Sequence, residues 1–197
     1  MKLQIIISSV RQNRTTPRLA TWIANEARKL PDTEVEIVDL IDYPLPLFDE
    51  PVSPRYNPAR QIGEAAGKWV TKLSGADAYV FVTPEYNHSI PGALKNALDF
   101  LTWELLKKPA TVAAHGTVGG ARAMMQLKEI LSESRAAILP TQLAFLPRLG
   151  EAISEGGQLS AELRNQPYGP QVALQTMLTE LKWYSDALGA ARAHDQK

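Results

Sequence analysis

The chain has 197 residues, 45% of them hydrophobic, with 21 basic and 21 acidic side chains. This suits one domain with a sizeable core, and the charge balance argues against a general nucleic-acid binder. There is no cysteine, which excludes disulfides, thiolate metal sites and thiol redox chemistry, so any electron transfer requires a bound cofactor.

Strand and helix signals alternate along the chain. Leu3 to Ile7 is a nearly continuous apolar run, as expected of a strand covered on both faces. A polar loop, Ser8 to Thr16, leads to a helix with Leu19, Ile23, Ala27 and Leu30 at helical spacing and Pro17 near its start. Val35 to Leu40 reads as the second strand and Ala78 to Val82 as the third, followed by a helix carrying Leu94, Ala97, Leu98, Leu101 and Leu105. Ala110 to Ala114 is the fourth strand. A glycine loop, His115 to Gly120, then precedes a helix with Met124, Leu127 and Leu131. A fifth strand is predicted within Ala137 to Phe145, interrupted by Pro140, and a last helix carries Leu174, Met177, Leu178, Leu181 and Leu188 on one face.

This alternation predicts a three-layer α/β fold with a five-stranded parallel sheet and right-handed crossovers, in the flavodoxin-like order 2-1-3-4-5, as one domain over residues 1–197. Proline-rich Asp42 to Pro58 is expected to be a long surface loop, and Pro147 to Pro170 a lid or a partner-facing excursion. The apolar run at the start is too short for a secretion signal, and no segment reaches the roughly 18 apolar residues of a membrane span. A cytoplasmic protein is expected.

Two loops stand out. The first, Ser8-Ser9-Val10-Arg11-Gln12-Asn13-Arg14-Thr15-Thr16, sets hydroxyls and two arginines at a helix start. Free amides and the helix dipole favour an anion there, and arginine adds forked donors. A solvated polar loop is the competing reading. The second, Thr83-Pro84-Glu85-Tyr86-Asn87-His88-Ser89-Ile90-Pro91-Gly92, lies between a buried strand and a helix, at the sheet edge where open α/β folds bind ligands. Beside it His115-Gly116-Thr117-Val118-Gly119-Gly120-Ala121-Arg122 offers close backbone approach. Each taken alone is equally an ordinary turn. There is no Gly-x-Gly-x-x-Gly, Walker or Gly-x-Ser-x-Gly sequence, and His88, His115 and His194 lack metal-ligand spacing.

Together these segments, through Asp99 and on to Ala123, resemble the NADPH-dependent FMN reductase family, which includes quinone, azo-dye and chromate reductases. The resemblance implies an FMN-binding enzyme using NADPH or NADH. Ser9, Arg11 and Thr16 would bind the FMN phosphate, with Arg14 and Thr15 beside them. Pro84, Glu85, Tyr86, Asn87 and Ser89 would hold the flavin ring, and Gly116, Thr117 and Gly120 its pyrimidine edge. This chain departs from the usual pattern at Ser8, where glycine is common, and at His115, Gly116 and Thr117, where a tyrosine and a double glycine are frequent. The residues alone permit proton-transfer roles for Glu85, His88 or His115. The resemblance instead leaves the chemistry to the cofactor, with no catalytic side chain and no metal. It also implies a homodimer or homotetramer, with Trp103 a candidate for either the interface or the core. An FMN-binding electron carrier, or a redox-responsive partner protein with little turnover, remains the alternative.

Overall fold

A computed structural model describes residues 1–57 and 59–195. Its strands are β1 (Lys2–Ile7), β2 (Glu34–Asp39), β3 (Ala78–Pro84), β4 (Pro109–His115), β5 (Ala137–Ile138) and β6 (Leu143–Phe145). The helices are α1 (Thr16–Ala27), α2 (Glu64–Ser74), α3 (Gly92–Asp99), α4 (Ala121–Glu133), α5 (Leu149–Ala152), α6 (Ala161–Arg164) and α7 (Pro170–Asp195). All pairings are parallel, in the order β2-β1-β3-β4-β5, with β6 also on β4. The expected doubly wound order is thus borne out.

The pleat explains the three layers. Ile5, Ile7, Val80 and Val82 point to one face, where α1 and α7 bury Leu19, Trp22, Ile23, Met177 and Leu181. Ile6, Tyr79, Phe81 and Val112 point to the other, under Trp69, Leu94, Leu98 and Leu127. Register is firm: Ile5 lies opposite both Ile37 and Val80, and Phe81 opposite Val112. A one-residue slip would exchange the two cores.

Four expectations change. The helix predicted through Leu105 ends at Asp99. Glu104 turns back to accept from the Thr102 backbone N–H (2.6 Å) and hydroxyl (2.7 Å), a local alternative to helical bonding. Leu101 and Leu105 stay buried without helix. The fifth strand is two short ones, because Pro140 has no N–H to continue the ladder. Helix α2 was not foreseen; it buries Ala66, Trp69 and Leu73, and the Trp69 indole donates to the Ala97 carbonyl at 2.8 Å. Finally, residues 147–170 are neither lid nor excursion. They contain α5 and α6 and are pinned to α1: Arg18 donates to the Gly150 and Ile153 carbonyls, and Asn25 to those of Gly156 and Gly157. The proline-rich stretch is irregular apart from short 3-10 turns at Leu40–Asp42 and Pro54–Tyr56, and Pro58 lies outside the described residues. On α7 Leu188 is only partly buried. No helix among the described residues is long and apolar enough to cross a membrane.

Candidate functional site

Strands β1, β3 and β4 end side by side, so the loops after them converge at one edge. At the first loop Ser8, where glycine is common, folds back: its backbone N–H and its hydroxyl donate to the Val82 carbonyl at 3.1 and 2.8 Å. Ser9 is buried and shares a 2.8 Å hydrogen bond with the Tyr86 hydroxyl. The exposed Arg11 sets its guanidinium over the Tyr86 ring, 5.1 Å from the centroid. Arg14 is engaged elsewhere. It donates to the Ser9 carbonyl and forms a two-pronged pair with Asp39, one arm at 2.8 Å, with both side chains largely buried. Arg14 thus ties this loop to the end of β2, and its charge is balanced, whereas Arg11 is without an ion-pair partner among the described residues.

Helix α1 begins at this loop with no side-chain cap. Thr15 stands exposed at the capping position, and the backbone N–H groups of Thr15 and Thr16 have no acceptor among the described residues. Buried Thr16 bonds instead through its hydroxyl to His115 Nε2, at 2.9 Å.

The second loop is a tight hairpin. Tyr86 and Ser89 exchange backbone hydrogen bonds at 2.9 and 3.0 Å. Asn87 and His88 occupy its two central positions with φ of 50° and 66°, the pattern of a type I′ turn, in which asparagine is favoured. Buried Pro84 closes β3 opposite His115, and the Glu85 N–H donates to the His115 carbonyl at 2.9 Å. Helix α4 grips both ends of this loop. Arg122 donates to Glu85 through its backbone N–H (3.0 Å) and guanidinium (2.9 Å). One turn on, Gln126 Oε1 accepts from the Ser89 hydroxyl (2.5 Å) and the Ile90 N–H (3.3 Å). Glu85 is therefore a non-local cap for α4. Burial pushes its carboxyl up, but the hydrogen bonds and charge of Arg122, with the Ala123 N–H, outweigh this and hold it below the usual value.

The third loop turns through Gly116 and Gly119, the Gly119 N–H donating to the Gly116 carbonyl at 3.0 Å, with Thr117 exposed. Gly120 starts α4 at φ 75°, and a Cβ there would lie 2.7 Å from the His115 nitrogen, so glycine is required by the chain's own packing. Burial pushes the His115 imidazole down to about 4, so it is neutral at pH 7. Such a group destabilises the fold as pH falls from its unfolded value near 6.5 towards 4, where only the unfolded chain gains the proton. His115 is partly exposed, which screens the effect, so the loss is about 2 kcal/mol. Thermal melts of wild type should drop across that window, and His115→Gln should flatten the drop; an equal slope in both would remove His115 as its cause.

The thirteen residues singled out in the sequence thus fall on these three converging loops. Asp39, Arg122 and Gln126 were missed as partners; the i, i+4 spacing of Arg122 and Gln126 on the helix after a glycine loop was the available signal. Gln126→Ala removes the acceptor for two donors and should cost about 1–2 kcal/mol. Faster amide exchange at Ile90 than at the α4 interior would show the loop loosening, and unchanged Ile90 exchange would argue against this grip.

A cavity of about 1130 Å3 lies between α2 and the opening residues of β1 and β2, away from these loops. A smaller one of about 340 Å3 adjoins the first loop at Val10, walled by Leu40, Tyr43, Leu47, Gly92 and Asn96. Among the described residues no cluster of three histidine, cysteine or carboxylate side chains suits a metal.

The family model for NADPH-dependent FMN reductase matches residues 1–147. An NAD(P)H-dependent FMN reductase of Schizosaccharomyces pombe is 38% identical over 75% of this chain and 74% of its own. A quinone reductase of Escherichia coli is 32% identical over 81% and 93%. Among solved structures, the flavoenzyme NAD(P)H:(acceptor) oxidoreductase FerB of Paracoccus denitrificans shares the fold, with TM-score 0.71, 21% identity, and coverage of 96% of this chain and 97% of FerB. With a family match over residues 1–147, which takes in β1 and all three loops, the chain belongs to the NADPH-dependent FMN reductase family of flavin oxidoreductases.

Proposed function

We propose that this protein binds FMN at the convergent loops and works as an NAD(P)H-dependent FMN reductase or an FMN-containing quinone or azo reductase. One observation supports this most. Of the three helices that start at these loops, α4 has amides occupied by Glu85, whereas α1 keeps open amides beside the unpaired Arg11. The donor set at α1 fits a phosphate and the closed one at α4 does not. FMN held by these loops would supply hydride chemistry at N5, between reduced nicotinamide and a quinone, azo or free-flavin acceptor that occupy the same face in turn, with water supplying the proton that accompanies hydride to the acceptor.

Within this reading each residue has a defined task. Arg11, Ser9 and the Thr15 and Thr16 amides hold phosphate, and Arg14 fixes their loop through Asp39. Pro84 to Ser89 and Gly116, Thr117 and Gly120 supply two backbone walls for the ring, with Tyr86 flanking it. No side chain is required to move a proton: Glu85 is committed to Arg122, and neutral His115 to Thr16. We take residues 1–197 as one FMN-binding domain, acting in the cytoplasm as a homodimer or homotetramer. Trp103, 40% exposed between the Arg55 and Arg135 guanidinium groups, is assigned to the subunit interface.

Steady-state oxidation of NADPH or NADH with a quinone tests the mechanism. Parallel double-reciprocal plots and anaerobic bleaching of the flavin are expected. Intersecting plots would replace alternating occupancy with a ternary complex. Bleaching without turnover would favour an electron carrier, and no bleaching with either nicotinamide would overturn the reading.

A further inference from the structure

Arg11 is held in place by a residue of a different loop. Its exposed guanidinium lies over the half-buried Tyr86 ring, 5.1 Å from the centroid and inside the roughly 6 Å reach of a cation–π contact. The hydrogen bond Arg11 makes is through its backbone, from its N–H to Ser9 Oγ at 3.4 Å. The guanidinium N–H groups are without an acceptor among the described residues. Stacking engages the flat face of a guanidinium and leaves its edge free for the forked pair that a phosphate accepts. The platform itself is fixed at both ends. The Tyr86 backbone exchanges hydrogen bonds with Ser89, and its hydroxyl shares one with Ser9 Oγ at 2.8 Å.

An arginine free in water spreads over many rotamers, and it loses that freedom when it grips an anion. Stacked on a fixed ring, Arg11 has given up part of it beforehand, which favours binding. We propose that Tyr86 is a positioning residue for the phosphate: its ring holds Arg11 ready, so the loop that walls the flavin ring also sets the preference for FMN over riboflavin. This role rests on FMN occupying the convergent loops.

Titration of the whole chain with FMN and with riboflavin, followed by flavin fluorescence, tests it. The ratio of the two affinities isolates the phosphate, because every contact to the ring, including any from Tyr86, is common to both ligands. Tyr86→Leu should lower that ratio about three- to fivefold, and Tyr86→Phe, which keeps the aromatic face, should retain most of it, both with wild-type circular dichroism. In an Arg11→Ala background Tyr86→Leu should leave the ratio unchanged, since the residue it positions is gone. An unchanged ratio in Tyr86→Leu, an equal fall in Tyr86→Phe, or a further fall in the Arg11→Ala background would overturn the role of the ring. Those results would leave FMN at these loops, whereas a wild-type chain that binds both flavins equally, or neither, would overturn the phosphate site itself.

Discussion

Arg11→Ala will weaken FMN binding by about 1.5–3 kcal/mol, roughly 10- to 150-fold, and leave riboflavin affinity nearly unchanged. The substitution removes a charge-assisted hydrogen bond that only the phosphate can accept. Arg14→Ala is the informative control. It lies in the same loop and removes the same charge, but its guanidinium is held by Asp39 and the Ser9 carbonyl. Its loss should lower stability and weaken both ligands together, because the loop that it fixes is common to both. A titration in which Arg11→Ala lowers FMN and riboflavin affinity equally would take the phosphate away from this loop. A selective loss of FMN in Arg14→Ala would shift the phosphate to that residue.

The fold was legible where local pattern and tertiary demand coincide. Ile5 to Ile7 and Tyr79 to Val82 face a core on both sides, so their sequence is apolar at every position and needs no partner to be read. The spacing of Ala66, Trp69 and Leu73 also carried the signal for α2, but it follows a long proline-rich stretch without periodicity. The leucine pattern misled beyond Asp99 because burial continues through Leu101 and Leu105 after helical bonding stops. At the site, sequence showed which loops carry polar and glycine residues. Beyond the spacing of Arg122 and Gln126, it did not show which residues of one loop bond to those of another. Thr16 with His115, Ser9 with Tyr86, Arg14 with Asp39 and Glu85 with Arg122 each join residues 25 to 99 positions apart. Such pairs arise only once parallel pairing sets the strand ends side by side, and they separate Arg11, whose charge stays unpaired, from Arg14, whose charge is balanced.

Gly116→Val will lose FMN while the chain still folds, and Glu85→Gln will stay yellow and active. At Gly116 φ is +158°, at the limit of what an L side chain tolerates, and a Cβ would sit 3.2 Å from the Glu85 Cβ. Valine adds two methyl groups beyond that point, so the two walls must part or the methyls must project into the slot between them. Either outcome spoils a site proposed to depend on backbone approach. Glu85→Gln makes a different change. The amide oxygen can still accept from the Arg122 N–H, so α4 stays capped, while the ion pair with the half-exposed Arg122 is lost. That pair holds the Glu85 carboxyl below its unfolded value, so its contribution is present above about pH 4.5 and fades as pH falls through the folded-state value. Glu85→Gln should therefore lower stability by about 1 kcal/mol at pH 7 and remove part of the loss below pH 4.5, a window distinct from that of His115. Flavin absorbance reports occupancy and circular dichroism reports folding. Full FMN occupancy in folded Gly116→Val would place the ring elsewhere. A yellow but inactive Glu85→Gln would make Glu85 a catalytic acid or base, and the chemistry would no longer belong to the cofactor alone.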